Sequence, residues 1–242
     1  MSKFVFFIFQ FSISISSFGH LVPKSSSQLL VVITNGWEDY EGKLSYCEHS
    51  DTDSVWKCSR KFDVVVGKNG MGWGRGIKKF NLDGPIKKEG DNKSPAGIFT
   101  LDTAFGHTNR EYFQDLKMPY LELSESIEAV DDPDSQLYNR IVDREKVDIN
   151  WKTSEKMGYE PLYLRGFVVN HNIYQTIRGF GSQIFLHIWN HSKTGTGGCT
   201  AMSFENINFL FNSLEKNRNP ILVQLPKNIY LDLVKEGKLP KF

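Results

Sequence analysis

The chain has 242 residues, of which 40% are hydrophobic and 24% are charged, and its formal net charge is +1. A chain of this length and composition can bury a substantial core as one ordinary globular domain. It lacks the basic excess that nucleic-acid-binding proteins carry, and it has no long acidic run. We therefore expect no nucleic-acid partner, and recognition has to be inferred from a site rather than from overall charge.

The first residues differ from the rest of the chain. Lys3 precedes the apolar run of residues 4–9, and an alternation of apolar residues and serines follows. One positive residue, an apolar core and the small residues Ser17 and Gly19 predict a secretory signal peptide over residues 1–19. The alternation is also typical of a half-buried strand, so that alternative stays open. No other segment is apolar and long enough to span a bilayer, and we expect no membrane span after removal of the signal.

The three cysteines fit an exported protein. Cys47 and Cys58, with ten residues between them, could close a disulfide in an oxidising compartment, which would leave Cys199 as the free thiol. Two reduced thiols are the alternative, because spacing does not decide between them. Together with the signal peptide, this pattern predicts an exported protein of the periplasm or cell envelope, or a secreted one.

From residue 28 the chain consists of short apolar segments separated by Gly, Asn and Pro. This pattern predicts β architecture rather than alternating strands and helices. Clear strands are expected at residues 29–34, 63–67, 167–172 and 184–188, and weaker strands at residues 43–46 and 55–61.

Residues 104–160 are polar and are predicted to be rich in loops. Asp and Ser bond their own backbone and Pro fixes φ, so residues 131–135 predict a turn. Arg140 follows this turn, and its planar guanidinium could bind a substrate carboxylate. An ion pair with Asp143 or Glu145 is the alternative role for Arg140.

The segment from Ile184 to Met202 predicts an active site. His187 lies on an apolar strand, and Cys199 follows the glycine-rich turn of residues 195–198. A thiol attacks carbonyls as the thiolate, and a nearby imidazole can take its proton. The glycines can supply positive φ angles and exposed N–H groups for an oxyanion.

Two other histidines lie near this segment in sequence. His171, at the end of a strand, is either a second catalytic His or a structural hydrogen-bonding residue. His191 is interpreted as a solvated loop residue. A zinc site formed by these histidines with His187 and Cys199 is a further hypothesis, because the donor types suit zinc. The spacing lacks a helical His-Glu-x-x-His pattern, so no metal is expected.

A helix is predicted directly after Cys199. Ser203 is a good N-cap, and apolar residues recur at helical spacing from Phe204 to Leu214. Pro220 would end this region before a strand at residues 221–225, and a second short helix is expected at residues 227–236. The positive end of the first helix would point at the sulfur and help to lower the pKa of the thiol.

Three segments resemble the L,D-transpeptidase (YkuD, or ErfK/YbiS/YcfS/YnhG) catalytic domain family. The family pattern of a His on a strand followed by Ser/Thr-x-Gly-Cys is matched by His187 and by Thr196-Gly197-Gly198-Cys199. The segments Gly90-Asp91-Asn92-Lys93-Ser94-Pro95-Ala96-Gly97-Ile98-Phe99 and Asp131-Asp132-Pro133-Asp134-Ser135-Gln136-Leu137-Tyr138-Asn139 are similar to two further family segments. Two positions depart from the pattern. Gly197 stands where most members have a second His, and Ala201 stands where they have Arg or Asn.

The resemblance implies a fold and an architecture. The fold would be mainly β with a few helices, an L,D-transpeptidase-like β-sandwich of mixed sheets with a helix packed after the Cys, in a single domain over residues 28–242. Residues 90–99 are expected to form the sheet corner that shapes the site. The resemblance implies no cofactor, and we expect a monomer.

The resemblance also implies an activity on peptidoglycan stem peptides. Cys199 would be the nucleophile and His187 its base, with the imidazole oriented by the carbonyl of Ile188. The N–H groups of Gly198 and Cys199 would bind the oxyanion. Supporting or substrate-contacting roles are expected for Thr196, Gly197, His171 and Arg140. The acyl-enzyme would pass to an amine, as in an L,D-transpeptidase, or to water, as in an L,D-carboxypeptidase. The alternative is a catalytically inactive peptidoglycan-binding module.

Overall fold

Strands form most of the regular structure. The computed structural model describes residues 20–50 and 53–241, so the predicted signal peptide lies outside the described residues. The strands in this part of the chain are β1 (Gln28–Thr34), β2 (Glu41–Ser50), β3 (Asp53–Val65), β4 (Met71–Trp73), β5 (Ser94–Gly106), β6 (Tyr120–Glu122), β7 (Ile127–Val130), β8 (Ile141–Asp143), β9 (Ser154–Lys156), β10 (Arg165–Val169), β11 (Ile184–Ile188), β12 (Thr200–Met202) and β13 (Ile221–Pro226). The α-helices are α1 (Phe204–Ser213) and α2 (Lys227–Lys235).

The main sheet is mixed, and its long strand β5 pairs with both β13 and β10. Its order is β10-β11-β12-β3-β2-β1-β13-β5-β4, with β6 also on β5. The pairs β1–β13, β11–β12, β4–β5 and β5–β6 are parallel. Residues 97–100 of β5 pair with β13, whereas residues 101–106 pair with β10, so both ends of the sheet meet along β5. The predicted mainly β fold with mixed sheets is confirmed.

The strand β1 lies inside the main sheet because it is apolar on both faces. Its residues 29–32 are at most 2% exposed. Strands covered on both sides have continuous apolar runs rather than alternating ones. In the register, β1 runs parallel to β13, with Leu29 opposite Ile221, and antiparallel to β2.

The strands β2 and β3 form a long antiparallel pair. The two separate strands predicted at residues 55–61 and 63–67 are in fact one strand that ends at Val65, because no Gly or Pro interrupts its pairing with β2. Cys47 and Cys58 are opposite each other in this pair and form a disulfide, which the spacing alone had left open. On the chain-entropy model a loop of this length stabilises the fold by about 2–3 kcal/mol.

The region predicted to be loop-rich contains a second sheet of order β8-β7-β9. The prediction missed these strands because they are three or four residues long and rich in charged residues. In the register, Ala129 of β7 is opposite Glu155 of β9. Side chains at opposite positions share one face of a sheet, so this sheet places a carboxyl group beside Ala129.

Both predicted helices are present. Ser203 caps α1, its hydroxyl oxygen accepting a hydrogen bond from Asn206 N–H, and the stripe of Ile207, Leu210 and Phe211 is buried against the core. The predicted second helix is α2. No helix in residues 20–50 and 53–241 combines the length and the apolar character needed to cross a membrane.

Candidate active site

A cavity of about 550 Å³ opens beside the strands β11 and β12. It is formed by the loop before β5, the small sheet, the 3₁₀ turn at residues 161–163, the end of β11 and the glycine-rich turn. Among the residues that line it are Lys87, Gly90, Ala129, Asp131, Glu155, Glu160, Tyr163, His187, His191, Thr196, Gly197, Gly198, Cys199 and Ala201.

The register of two parallel strands brings Cys199 and His187 into this cavity. His187 of β11 is opposite Ala201 of β12. Cys199 precedes Ala201 by two residues, and side chains two residues apart along extended chain point to the same face. His187, Cys199 and Ala201 therefore share one side of the sheet, and all three line the cavity. The structure brings together the two side chains that the sequence predicts as a pair.

A backbone carbonyl holds the imidazole of His187. Its Nδ1 lies 2.7 Å from the oxygen of Ile188, the carbonyl expected from the sequence. A carbonyl can only accept, so Nδ1 carries the proton and Nε2 is the basic nitrogen. Burial lowers the pKa of His187 despite the opposing effect of this carbonyl. The ring is therefore neutral near pH 7 and suited to accept a proton.

The thiol of Cys199 is protonated in the resting site. Burial, together with the smaller effect of the negative charge of Glu155, raises its pKa to about 12. The N–H of Phe185, which donates a hydrogen bond to Sγ at 3.3 Å, and the charge of Lys87 act in the opposite direction. The expectation that α1 lowers this pKa is wrong, because β12 separates Cys199 from the start of the helix.

The glycines of the turn have different roles. Gly198 has φ +155°, in the region that favours glycine. Gly195 has no positive φ but lies against Lys68, whose Cα would be 2.4 Å from an added Cβ. Gly197 has neither constraint, since an added Cβ would meet nothing within 4 Å. The predicted positive φ thus holds for Gly198, and Gly197 faces open space.

Two hydroxyl groups fix the turn that carries Cys199. Thr196 Oγ1 donates a hydrogen bond to the carbonyl of Cys199 at 2.6 Å and accepts one from Gly198 N–H at 3.1 Å. The buried Ser94 Oγ accepts from Gly67 N–H and lies 2.6 Å from the carbonyl oxygen of Gly198. Of the two amides predicted to bind an oxyanion, that of Gly198 is therefore already hydrogen-bonded, which leaves that of Cys199.

The segment of residues 87–99 lies next to the cavity, as predicted. Asp91 organises it, because its carboxylate accepts hydrogen bonds from the N–H groups of Lys88 and Lys93 and from Nζ of Lys87. Lys87 is 3% exposed and lines the cavity. The segment therefore adds a buried ion pair to the floor of the site.

His171 has a structural position. Its Nδ1 accepts a hydrogen bond from Arg75 N–H at 3.2 Å, so its Nε2 donates to the carbonyl of Phe180, 3.0 Å away. Burial lowers its pKa to about 3. His171 does not line the cavity, so it is not placed to replace the His that Gly197 lacks.

Two other hypotheses from the sequence, a substrate-binding role for Arg140 and a zinc site, are not supported by the positions of these residues. Arg140 is exposed and outside the lining residues, and Asp143 pairs with Lys146 rather than with Arg140. Within residues 20–50 and 53–241, no three His, Cys, Asp or Glu side chains are grouped closely enough to hold a metal ion. His191 is exposed at the cavity rim.

Sequence reasoning missed Glu155 and Tyr163. Tyr163 is 2% exposed, and its ring contacts that of His187 edge to face with 5.3 Å between centroids. Its hydroxyl interacts with the thiol of Cys199 and with the carboxyl of Glu155. Neither residue belongs to a motif; Glu155 lies in the region predicted to be polar loop and Tyr163 follows directly after it, so no local signal could have indicated them.

Comparison with known protein families gives one match. The model of one family, YkuD, described as the L,D-transpeptidase catalytic domain, matches residues 22–223, which is most of the chain. A search of curated proteins found no significant match. The fold and the family match lead to one assignment: the chain belongs to the YkuD family of L,D-transpeptidase catalytic domains.

Proposed function

We propose that this protein is a cysteine-dependent L,D-transpeptidase that acts on the stem peptides of peptidoglycan. The observation that carries the proposal is the position of His187 on β11 and of Cys199 directly before the adjacent parallel strand β12, where both line one cavity and Nδ1 of the imidazole is held by Ile188. The YkuD domain implies a peptidoglycan substrate and a reaction of this class at the level of the family. The roles of individual residues are our inference from the geometry.

In the first step Cys199 attacks the carbonyl between the diamino acid and the terminal D-alanine of a stem tetrapeptide. Nε2 of His187 takes the proton from Sγ as the S–C bond forms. The imidazolium then gives this proton to the amine of D-alanine as the C–N bond breaks. The products are free D-alanine and a thioester on Cys199. The amide of Cys199 is available to stabilise the negative oxygen of the tetrahedral intermediate.

In the second step an acceptor attacks the thioester. Attack by an amine of a neighbouring stem forms a new amide and restores the thiol, which is cross-linking. Attack by water releases a tripeptide, which is L,D-carboxypeptidase activity. The raised pKa of Cys199 and the lowered pKa of His187 mean that both groups start neutral, so proton transfer accompanies attack on the bound peptide.

The candidate nucleophile can be tested with a carbapenem and intact mass spectrometry. We expect one adduct on the wild-type protein and none on Cys199→Ala. His187→Ala should slow formation of the adduct by about 10²-fold or more, as removal of a general base does. His191→Ala is the matched control, because this His is exposed at the rim and should react at the wild-type rate. An adduct that persists in Cys199→Ala would refute the assignment.

A peptidoglycan-binding module without turnover is the second candidate, and Gly197 and Ala201 are the residues that favour it. Incubation with defined tetrapeptide muropeptides distinguishes the two. Cross-linked dimers indicate a transpeptidase, tripeptides indicate a carboxypeptidase, and binding without either product indicates the module.

We also propose export of the protein by a signal peptide over residues 1–19, followed by one catalytic domain over residues 28–242 that acts as a monomer. The Cys47–Cys58 disulfide is consistent with export. Mass analysis of the protein recovered from a cell envelope fraction would reveal removal of the first residues.

A further inference from the structure

One wall of the cavity is acidic, and it faces the candidate nucleophile. Asp131, Glu155 and Glu160 all line the cavity together with Cys199 and His187. The nearest basic side chain in the floor, that of Lys87, is already paired with Asp91. The free charge of this wall is therefore negative, which favours a cationic ligand group.

An unpaired atom supports this interpretation. The Oδ1 atom of Asp131 is shielded from solvent and has no hydrogen-bond partner among the described residues of the chain. A buried carboxylate oxygen without a partner is costly, and the cost is removed when a donor binds. Asp131 lines the cavity, so a rotation of its carboxylate would expose this oxygen to a donor on a bound ligand.

Glu155 has the position of a base within this wall. It lines the cavity beside Tyr163, whose hydroxyl interacts with the Glu155 carboxyl group and with the Cys199 thiol. Burial and the charges of Glu160 and Asp131 raise the pKa of Glu155. A carboxylate with a raised pKa holds a proton more readily than an ordinary one.

The second step of the reaction needs such a base. An amine in water near pH 7 is protonated, and an ammonium group cannot attack a thioester. Attack by an amine therefore releases two protons, one before and one during bond formation. His187 can carry the second proton to the sulfur of Cys199. A further base is needed for the first, whereas a water acceptor needs no such base.

We propose that Glu155 takes the first proton from the ammonium group of the acceptor stem, which Asp131 helps to bind, and that this acidic wall directs the acyl-enzyme toward an amine rather than water. In balanced form, the ammonium and the Glu155 carboxylate become a neutral amine and a carboxylic acid. The amine then attacks the thioester, its remaining extra proton passes through His187 to the sulfur, and Glu155 returns its proton to solvent. This inference rests on the proposed function and assigns the acceptor step to named residues.

Several groups facing Glu155 influence its protonation. Tyr163, Glu160 and Asp131 influence it directly. His187, Cys199 and Lys87 line the same cavity, and Lys87 is paired with Asp91. A neutral glutamine at position 155 keeps the shape of the side chain and removes the base.

The test measures dimers and tripeptides formed from tetrapeptide muropeptides by wild-type protein and by Glu155→Gln. We expect dimer formation to fall by at least about tenfold near pH 7, as for loss of a general base, while tripeptide formation and the carbapenem adduct rate stay within about threefold of wild type. The dimer yield of Glu155→Gln should recover as the pH approaches about 10, where the amine loses its proton without help.

Two variants control the experiment. Glu122→Gln removes a carboxylate that is exposed and lies outside the cavity lining, so the dimer-to-tripeptide ratio should change less than about threefold, because exposed charges are screened by solvent and salt. Glu155→Asp keeps a carboxyl group, so its dimer-to-tripeptide ratio should lie closer to that of wild type than the ratio of Glu155→Gln does. Because a ratio of products does not depend on how much protein is folded, this comparison remains valid if Glu155→Gln folds poorly. An unchanged ratio in Glu155→Gln, or an equal loss of adduct formation, would overturn this inference. Absence of any adduct on the wild-type protein would instead refute the proposed function.

Discussion

Replacement of Ser94 by alanine should weaken both the fold and the site, because one hydroxyl links three segments. Ser94 is 0% exposed, and its Oγ accepts from Gly67 N–H at 2.8 Å and lies 2.6 Å from the Gly198 carbonyl oxygen and 3.0 Å from that of Cys199. Alanine leaves one buried donor and one buried acceptor without their partner, at about 1–3 kcal/mol each. The two terms sum to roughly 2–6 kcal/mol, and we expect a loss of roughly 2–4 kcal/mol because relaxation around the smaller side chain recovers part of this cost.

Thermal and urea unfolding measure this loss, and carbapenem adduct formation measures its effect on the site. For a chain of this size the expected fall in Tm is roughly 5–15 °C. The adduct should also form more slowly, because the carbonyl groups that Ser94 holds belong to the turn carrying Cys199. Ser192→Ala is the matched control, since this serine is exposed on the loop before that turn. If Ser94→Ala were as stable as Ser192→Ala, the inferred role of the Ser94 hydroxyl in linking the three segments would be wrong.

Two further predictions concern the thiol and the turn. Alkylation of Cys199 by iodoacetamide should rise about tenfold per pH unit from about pH 6 to 9, because the raised pKa of the thiol, about 12, and the lowered pKa of His187 leave both neutral. A rate that is level below pH 7 would indicate a preformed ion pair instead. Gly195→Ala should destabilise the fold by about 1–3 kcal/mol, because its Cβ would lie 2.4 Å from Lys68 Cα. Gly197→Ala, with nothing within 4 Å of its Cβ, should change the free energy of unfolding by less than about 0.5 kcal/mol, and equal effects at both positions would contradict this reading.

The parts of the fold that the sequence predicts well are those with a local pattern. The apolar run of β1, the strand of His187 and the capped, amphipathic α1 are each determined by neighbouring residues. The small sheet was missed because its strands are three or four residues long and include charged residues, so the few apolar side chains that pack into the core, such as Ile127, Ala129 and Ile141, form no recognisable periodic pattern. Strand pairing over long distances leaves no trace in local periodicity.

The same distinction applies to the site. His187 and Cys199 lie in one segment, so their spacing and the glycines between them indicate a pair. Glu155 and Tyr163 reach the cavity from a different sheet and from a 3₁₀ turn, and nothing near them in sequence indicates this. The expectation that α1 lowers the pKa of the Cys199 thiol was wrong for a related reason. The helix follows Cys199 closely in sequence, but this did not place the helix end at the sulfur.

The parallel pairing of β1 with β13 affects how the protein is made. The neighbours of β13 are β1 and β5, which the ribosome synthesises long before residues 221–226. Until those residues emerge, the nascent sheet has a gap in its middle, and closing it requires contacts across almost 200 positions, which makes folding slow. The nascent chain would therefore complete its main sheet only after residues 221–226 become available for pairing.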